Sequence, residues 1–193
     1  MTAMRLVSSV TLLLLLAAPI ARAPSALASS SYHATDDPDL VHEATAGELA
    51  AAKATLQLND KPDVTDDQGH TPLMRAAEHG HRDIVKLLLA HNAAVNRTDE
   101  LGKTPLIWAA EGGDGEIIDT LIQAGAKIEQ ATREGITPLM AAAHAGQIDA
   151  VSHLIAAGAQ IDRDDYSGRD ALGWARESHN SRVVDMLQKA QKR

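Results

Sequence analysis

The chain has 193 residues, a formal net charge of −8 and no cysteine. Without cysteine there can be no disulfide, no thiol nucleophile and no lipid-bearing cysteine, so stability must come from burial alone. The acidic balance argues against nucleic acid and anionic lipid, which need clustered Lys and Arg, and it suits a partner with a basic patch.

Residues 1–28 read as a cleavable signal peptide. Arg5 supplies the positive start, Val10 to Ala21 the apolar stretch around Leu12–Leu16, and Ala26-Leu27-Ala28 the small-residue cleavage tripeptide. The earlier tripeptide Ala21-Arg22-Ala23 would put Pro24 directly after the cut. The apolar run is about 12 residues, whereas a spanning helix needs roughly 20. Cleavage would remove Arg5 and Arg22 and no acid, leaving a more acidic chain. Residues 29–35, with Ser29-Ser30-Ser31, read as a flexible leader. The expected location is a bacterial periplasm, with no membrane association after cleavage.

From there the chain repeats itself. Thr71-Pro72-Leu73 recurs as Thr104-Pro105-Leu106 and Thr137-Pro138-Leu139, 33 residues apart each time. Gly69, Gly102, Gly135 and Gly168 keep the same spacing. So do Ala76-Ala77, Ala109-Ala110 and Ala142-Ala143, the glycines Gly80, Gly113 and Gly146, and the apolar columns Leu88/Leu121/Leu154/Leu187 and Val85/Ile118/Val151/Val184. Val95, Ile128 and Ile161 close the units. This pattern resembles the ankyrin repeat over essentially the whole mature chain. The resemblance implies an all-α solenoid of stacked helix-turn-helix units with projecting β-turn fingers. A capping unit at 36–65 would be followed by repeats at 66–98, 99–131 and 132–164 and a C-terminal capping unit at 165–193.

Each residue type suits its place. Thr71 can accept bonds from free N–H groups at a helix start, and Pro72 has no N–H to leave unpaired. Paired alanines let the first helix of each unit lie close to its neighbours. Ile84, Val85, Leu88 and Leu89 share one face of a second helix. Asn92, Gly125 and Gly158 can end that helix in a left-handed cap.

The ends depart from the pattern, as terminal units with one wet face do. Leu40, Ala44, Gly47 and Leu56 keep the framework of the first unit, but Asp37-Pro38 stands one residue early and the connection before Gly69 is two residues short. In the last unit Asp170-Ala171-Leu172 replaces Thr-Pro-Leu and His179 replaces the turn glycine. The third unit holds Gly112-Gly113-Asp114-Gly115, and three glycines in four residues predict the softest turn of the interior.

Few residues suggest chemistry. Glu78, His79 and His81 form the tightest of the histidine groups, and His144 takes the Glu78 position two units on. Yet His79 and His81 are two apart, not at helical ligand spacing. No zinc-protease, nucleophile-elbow or phosphate-loop pattern occurs, so no enzyme and no cofactor is expected. Asn96-Arg97-Thr98 is a formal glycosylation sequon that also reads as an ordinary turn. Trp108 and Trp174 share the position of Arg75 and Ala141 and read as partly buried packing between units.

The resemblance implies non-catalytic protein binding by a monomer, through a concave face made of the fingers and the first helix of each unit. Carried over position by position, that face takes Asp67, Gln68, His70, Glu78 and His79 from the second unit, and Glu100, Leu101, Lys103 and Glu111 from the third. The fourth adds Arg133, Glu134, Ile136 and His144, and the fifth Tyr166, Ser167, Arg169 and Glu177. Leu101, Ile136 and Tyr166 are apolar or aromatic where folding alone does not ask for it, although scattered surface apolar residues are also ordinary. Exported proteins of this kind resemble accessory factors that support antioxidant enzymes such as catalase, or immunity proteins that neutralise a toxin. A metal-handling protein using the surface histidines is the rival from another class.

Overall fold

The computed structural model describes residues 39–59 and 61–192. The signal peptide, the leader and Asp37-Pro38 lie outside the described residues. Ten helices come in five pairs: α1 (Asp39–Ala46) with α2 (Leu49–Asn59), α3 (Pro72–Glu78) with α4 (Arg82–Ala90), and α5 (Pro105–Gly112) with α6 (Gly115–Gln123). These are followed by α7 (Pro138–Ala145) with α8 (Ile148–Ala156), and α9 (Ala171–Glu177) with α10 (Ser181–Ala190). No strand occurs among the described residues, nor a helix long and apolar enough to cross a membrane. The all-α stack of helix-turn-helix units is therefore observed.

The first helices start where Thr-Pro-Leu predicts. Thr71, Thr104 and Thr137 each accept a bond from the backbone N–H three residues on, at 3.3 Å, and Asp170 does the same for Gly173 at 2.7 Å. Helices this short are marginal alone; neighbours hold them. The first helices touch in the order α1, α3, α5, α7, α9 and the second in the order α2, α4, α6, α8, α10. Between the two rows, Leu88, Leu121, Leu154 and Leu187 are fully buried. So are the paired alanines, whose small side chains permit the close approach. Val184 is only half-buried, because among the described residues no unit stacks on the outer side of α10.

Polar groups lace successive units together at the inter-helix turns. His81 donates to the Thr45 carbonyl at 3.0 Å, Gln147 to Glu111 at 2.9 Å and Asn180 to Gly146 at 3.1 Å. A second seam follows each second helix. Asp63, Asn96 and Glu129 accept from the backbone N–H of Ala94, Lys127 and Gln160, each at 2.9 Å. Arg97, Gln130 and Arg163 reach back to the carbonyls of Asp63, Asn96 and Glu129. The Asn96 amide also donates to Gly125 at 2.9 Å, so this side chain already ties two units together.

The glycines of the third unit also stand where neighbouring units approach closely. A Cβ on Gly112 would lie 2.4 Å from the Glu78 carbonyl oxygen, and one on Gly113 2.5 Å from Gln147 Oε1. At Gly115 a Cβ would lie 2.4 Å from the His153 ring, and the Gly115 N–H donates to Asp149 at 3.0 Å. Backbone of the preceding unit at Gly112, and side chains of the following unit at Gly113 and Gly115, fill the space these glycines leave. His153 Nδ1 lies 2.9 Å from Asp119 Oδ2, and Nε2 lies 3.6 Å from Asp149.

Leu121→Ala removes a fully buried column side chain and should cost about 2–5 kcal/mol through lost contacts and a cavity, read by urea unfolding. The hydrogen bond to Asp119, with the charges of Asp119, Asp149 and Asp114, outweighs burial and raises the His153 pKa above the ordinary histidine value. A raised pKa means that the stabilisation is complete below about 6.5, the unfolded value, and fades as pH climbs through the folded value. The thermal midpoint of the wild type should exceed that of His153→Gln at mildly acidic pH and converge with it at alkaline pH.

Candidate functional site

The second to fifth units each project a finger whose tip is a tight turn, at residues 67–68, 100–101, 133–134 and 166–167. One side chain organises each finger from its base. Asp66 Oδ1 accepts from the N–H groups of Gln68 and His70, Asp99 Oδ1 from Leu101 and Lys103, and Asp165 Oδ1 from Ser167 and Arg169. Thr132 performs the same task with its hydroxyl, towards Glu134 and Ile136 at 3.2 Å. Neighbouring fingers join by single backbone bonds, from Glu100 to Gln68, Arg133 to Leu101 and Tyr166 to Glu134.

The second carboxylate oxygen is tied to the helix behind. Trp108 Nε1 donates to Asp99 Oδ2 and Trp174 Nε1 to Asp165 Oδ2, both at 3.0 Å, and Arg75 Nη2 donates to Asp66 Oδ2 at 3.2 Å. Each pair is nine residues apart. In the fourth unit both partners are absent together: Thr132 has no second oxygen and Ala141 no donor. The tryptophans thus brace the fingers of their own units as well as packing between units. Trp108 meets His70 edge-on with ring centres 5.3 Å apart, and Trp174 meets His144 at 5.0 Å.

Two of the braced acids, Asp66 and Asp165, are held towards their charged form. Burial would raise Asp66, but bonds from the backbone and ring of His70 and the backbone of Gln68 outweigh it, and its pKa falls below the usual carboxylate value. Burial likewise opposes the charge of Asp165, and the Ser167 hydroxyl, the backbones of Arg169 and Ser167, and Trp174 together lower its pKa.

The cations beside the tryptophans are also held. Lys103 Nζ sits 4.1 Å from the Trp108 ring centre and bonds both Glu111 oxygens at 2.8 Å. Arg169 lies 4.0 Å over Trp174 and pairs with Glu177. In the second unit Arg75 pairs with Glu78 at 3.1 Å as well as with Asp66.

Of the residues assigned to the binding face, Asp67, Gln68, Glu100, Leu101, Arg133, Glu134, Tyr166 and Ser167 are exposed at the finger tips. His79, His144 and Glu177 are exposed on or just after the first helices; Glu78, Lys103, Glu111 and Arg169 are half-buried in the pairs just described. His70 is buried, its Nδ1 2.8 Å from Asp66 and its Nε2 3.8 Å from Asp99, so it supports two fingers from within. Ile136 is half-buried against the core, unlike Leu101 at 62% and Tyr166 at 81% exposure. A groove of about 370 Å³ runs between the last two fingers, with Arg133, Glu134, Tyr166, Arg169 and Trp174 among its lining.

The histidines do not converge. His79 and His81 stack with ring centres 6.0 Å apart; His79 Nδ1 is bonded to the Arg75 carbonyl and His81 Nε2 to that of Thr45. No group of three or more metal-ligating side chains assembles among the described residues.

A family model described as ankyrin repeats (3 copies) matches residues 40–132 and 125–192. The chain belongs to the ankyrin-repeat family. Ankyrin repeats typically bind other proteins, and proteins built from them are generally non-catalytic. No curated protein matches the chain.

The finger-base acids and their donors nine residues on were not among the residues assigned from sequence, although both columns keep the period of the repeat. Their coupling is testable. Trp108→Phe leaves Asp99 Oδ2, in a side chain only 1% exposed, with His70 at 3.8 Å as its remaining partner. The expected cost is about 1–3 kcal/mol. The same change in an Asp99→Thr background should cost less, because no acceptor is then stranded. Urea unfolding of the four proteins measures the difference.

Proposed function

We propose that this ankyrin-repeat chain is a non-catalytic protein-binding module of the periplasm, gripping its partner with a concave face of finger tips and first helices. The observation that carries the reading is the contrast along the fingers. Their bases are fully engaged in internal hydrogen bonds, while Leu101 and Tyr166 stand exposed at tips where nothing in the fold needs them. Apolar and aromatic anchors within a polar rim are what protein interfaces use. The apolar stretch of residues 10–21 and the small-residue site after it support export.

Within that role, the chain acts as a monomeric accessory factor that supports an antioxidant enzyme such as catalase. The test is a strain lacking the gene. Periplasmic antioxidant activity should fall, return with the wild-type chain, and stay low with Leu101→Ala/Tyr166→Ala. Lys86→Ala, on the second-helix row, should behave as wild type. Mass spectrometry of the exported chain should find Ser29 at its start. Unchanged enzyme activity together with rescue from a co-produced toxin would replace the accessory role by immunity.

A further inference from the structure

The binding role above leaves open what kind of surface the fingers accept, and the distribution of unpaired charge narrows it. Three cations that stand between the fingers and the first helices, Arg75, Lys103 and Arg169, are cancelled where they stand. Arg75 is held by Asp66 and Glu78, Lys103 by both oxygens of Glu111, and Arg169 by Glu177. A partner approaching the fingers therefore meets chiefly the charges that have no mate. Among the described residues these are the tip carboxylates of Asp67, Glu100 and Glu134, opposed by the single tip cation Arg133.

Their placement is ordered. The stem of Arg133 is laid over Gly102, where a Cβ would come within 3.2 Å of its Cγ, on the finger that bears Glu100 and Leu101, while the stem of Glu100 is laid over Gly69 at 3.6 Å, on the finger that bears Asp67. Asp67 and the Glu100 stem thus share one end of the row, and the Arg133 stem lies one finger further along. At the other end the Tyr166 ring lies against Gly135, whose Cβ would sit 2.9 Å from the ring. The aromatic is 81% exposed yet pinned in position, so binding it costs little ordering. The row thus has an acidic end and an aromatic end, with Leu101 between them.

We propose that the finger row docks a basic segment of the partner protein, with Lys or Arg side chains over Asp67 and Glu100 and an apolar side chain against Leu101 and Tyr166. This rests on the protein-binding reading above. A second copy of this acidic chain is a poor occupant, because like charges would face one another.

The experiment is selection of phage-displayed random peptides on the full mature chain, followed by fluorescence titration of the selected peptide. The expected result is a sequence with Lys or Arg beside an apolar residue. Its affinity should fall about tenfold in Asp67→Lys/Glu100→Lys, which corresponds to about 1.4 kcal/mol, and should weaken with salt. Leu101→Ala/Tyr166→Ala should abolish binding. These side chains make no internal bonds, so an unchanged thermal midpoint will confirm that both variants fold. Neutral or acidic peptides that still depend on Tyr166 would overturn the basic partner and leave the finger surface standing. Peptides indifferent to both variants would overturn the finger surface itself.

Discussion

Helices of seven to eleven residues, such as α3 and α2, do not persist alone in water, because fixing the first turn costs more than its few hydrogen bonds return. In this protein burial against the neighbouring pair makes them stable. Every other feature depends on that contact. The leucine column fills the space between the helix rows, and the alanine pairs set how closely the rows approach. Because units touch only their neighbours, stability is a sum of local terms and interfaces, and a buried column leucine matters to two units at once.

The fingers extend the same logic to polar groups. A tight turn leaves backbone N–H groups facing inward, and one acceptor at the base satisfies two of them. Aspartate does this with one oxygen and must then place the other, which is why Arg75, Trp108 and Trp174 stand nine residues later. The fourth unit shows the dependence in reverse, since threonine brings no second oxygen and alanine no donor. Two substitutions that look unrelated in sequence are one decision about a single buried acceptor.

The framework was legible in sequence because it repeats. Thr-Pro-Leu gave the starts of α3, α5 and α7, and the columns through Leu121 and Ile118 gave the buried faces. What escaped was geometry specific to one place. Glycines at 112, 113 and 115 predict a soft turn from sequence, and the fold adds that the Glu78 carbonyl and the Gln147, Asp149 and His153 side chains of neighbouring units lie within 2.6 Å of where a Cβ would stand. His70 and Ile136 occupy repeat positions that also carry half-exposed Lys103 and Arg169, and only the fold shows the first buried and the second leaning on the core. The seams through Asp63, Asn96 and Glu129 keep the period as plainly as the leucines do. They went unread because a polar residue in a turn carries no signal of its own partner.

The scaffold and the proposed recognition surface therefore use different atoms. The braced acids, the capped helix starts and the paired cations satisfy one another within the stack, so they offer a partner little net interaction. The tip side chains take almost no part in that internal satisfaction. The side chains of Asp67 and Leu101 make no buried hydrogen bond and those of Glu100 and Tyr166 rest only on Gly69 and Gly135, whereas Asp99 and Trp108 are bonded within the stack. A stack built this way can keep its fold while its binding chemistry is rewritten at two residues per finger. Conversely, an identity as coarse as the repeat family says little about the partner, because the residues that define the family are not the ones a partner would touch.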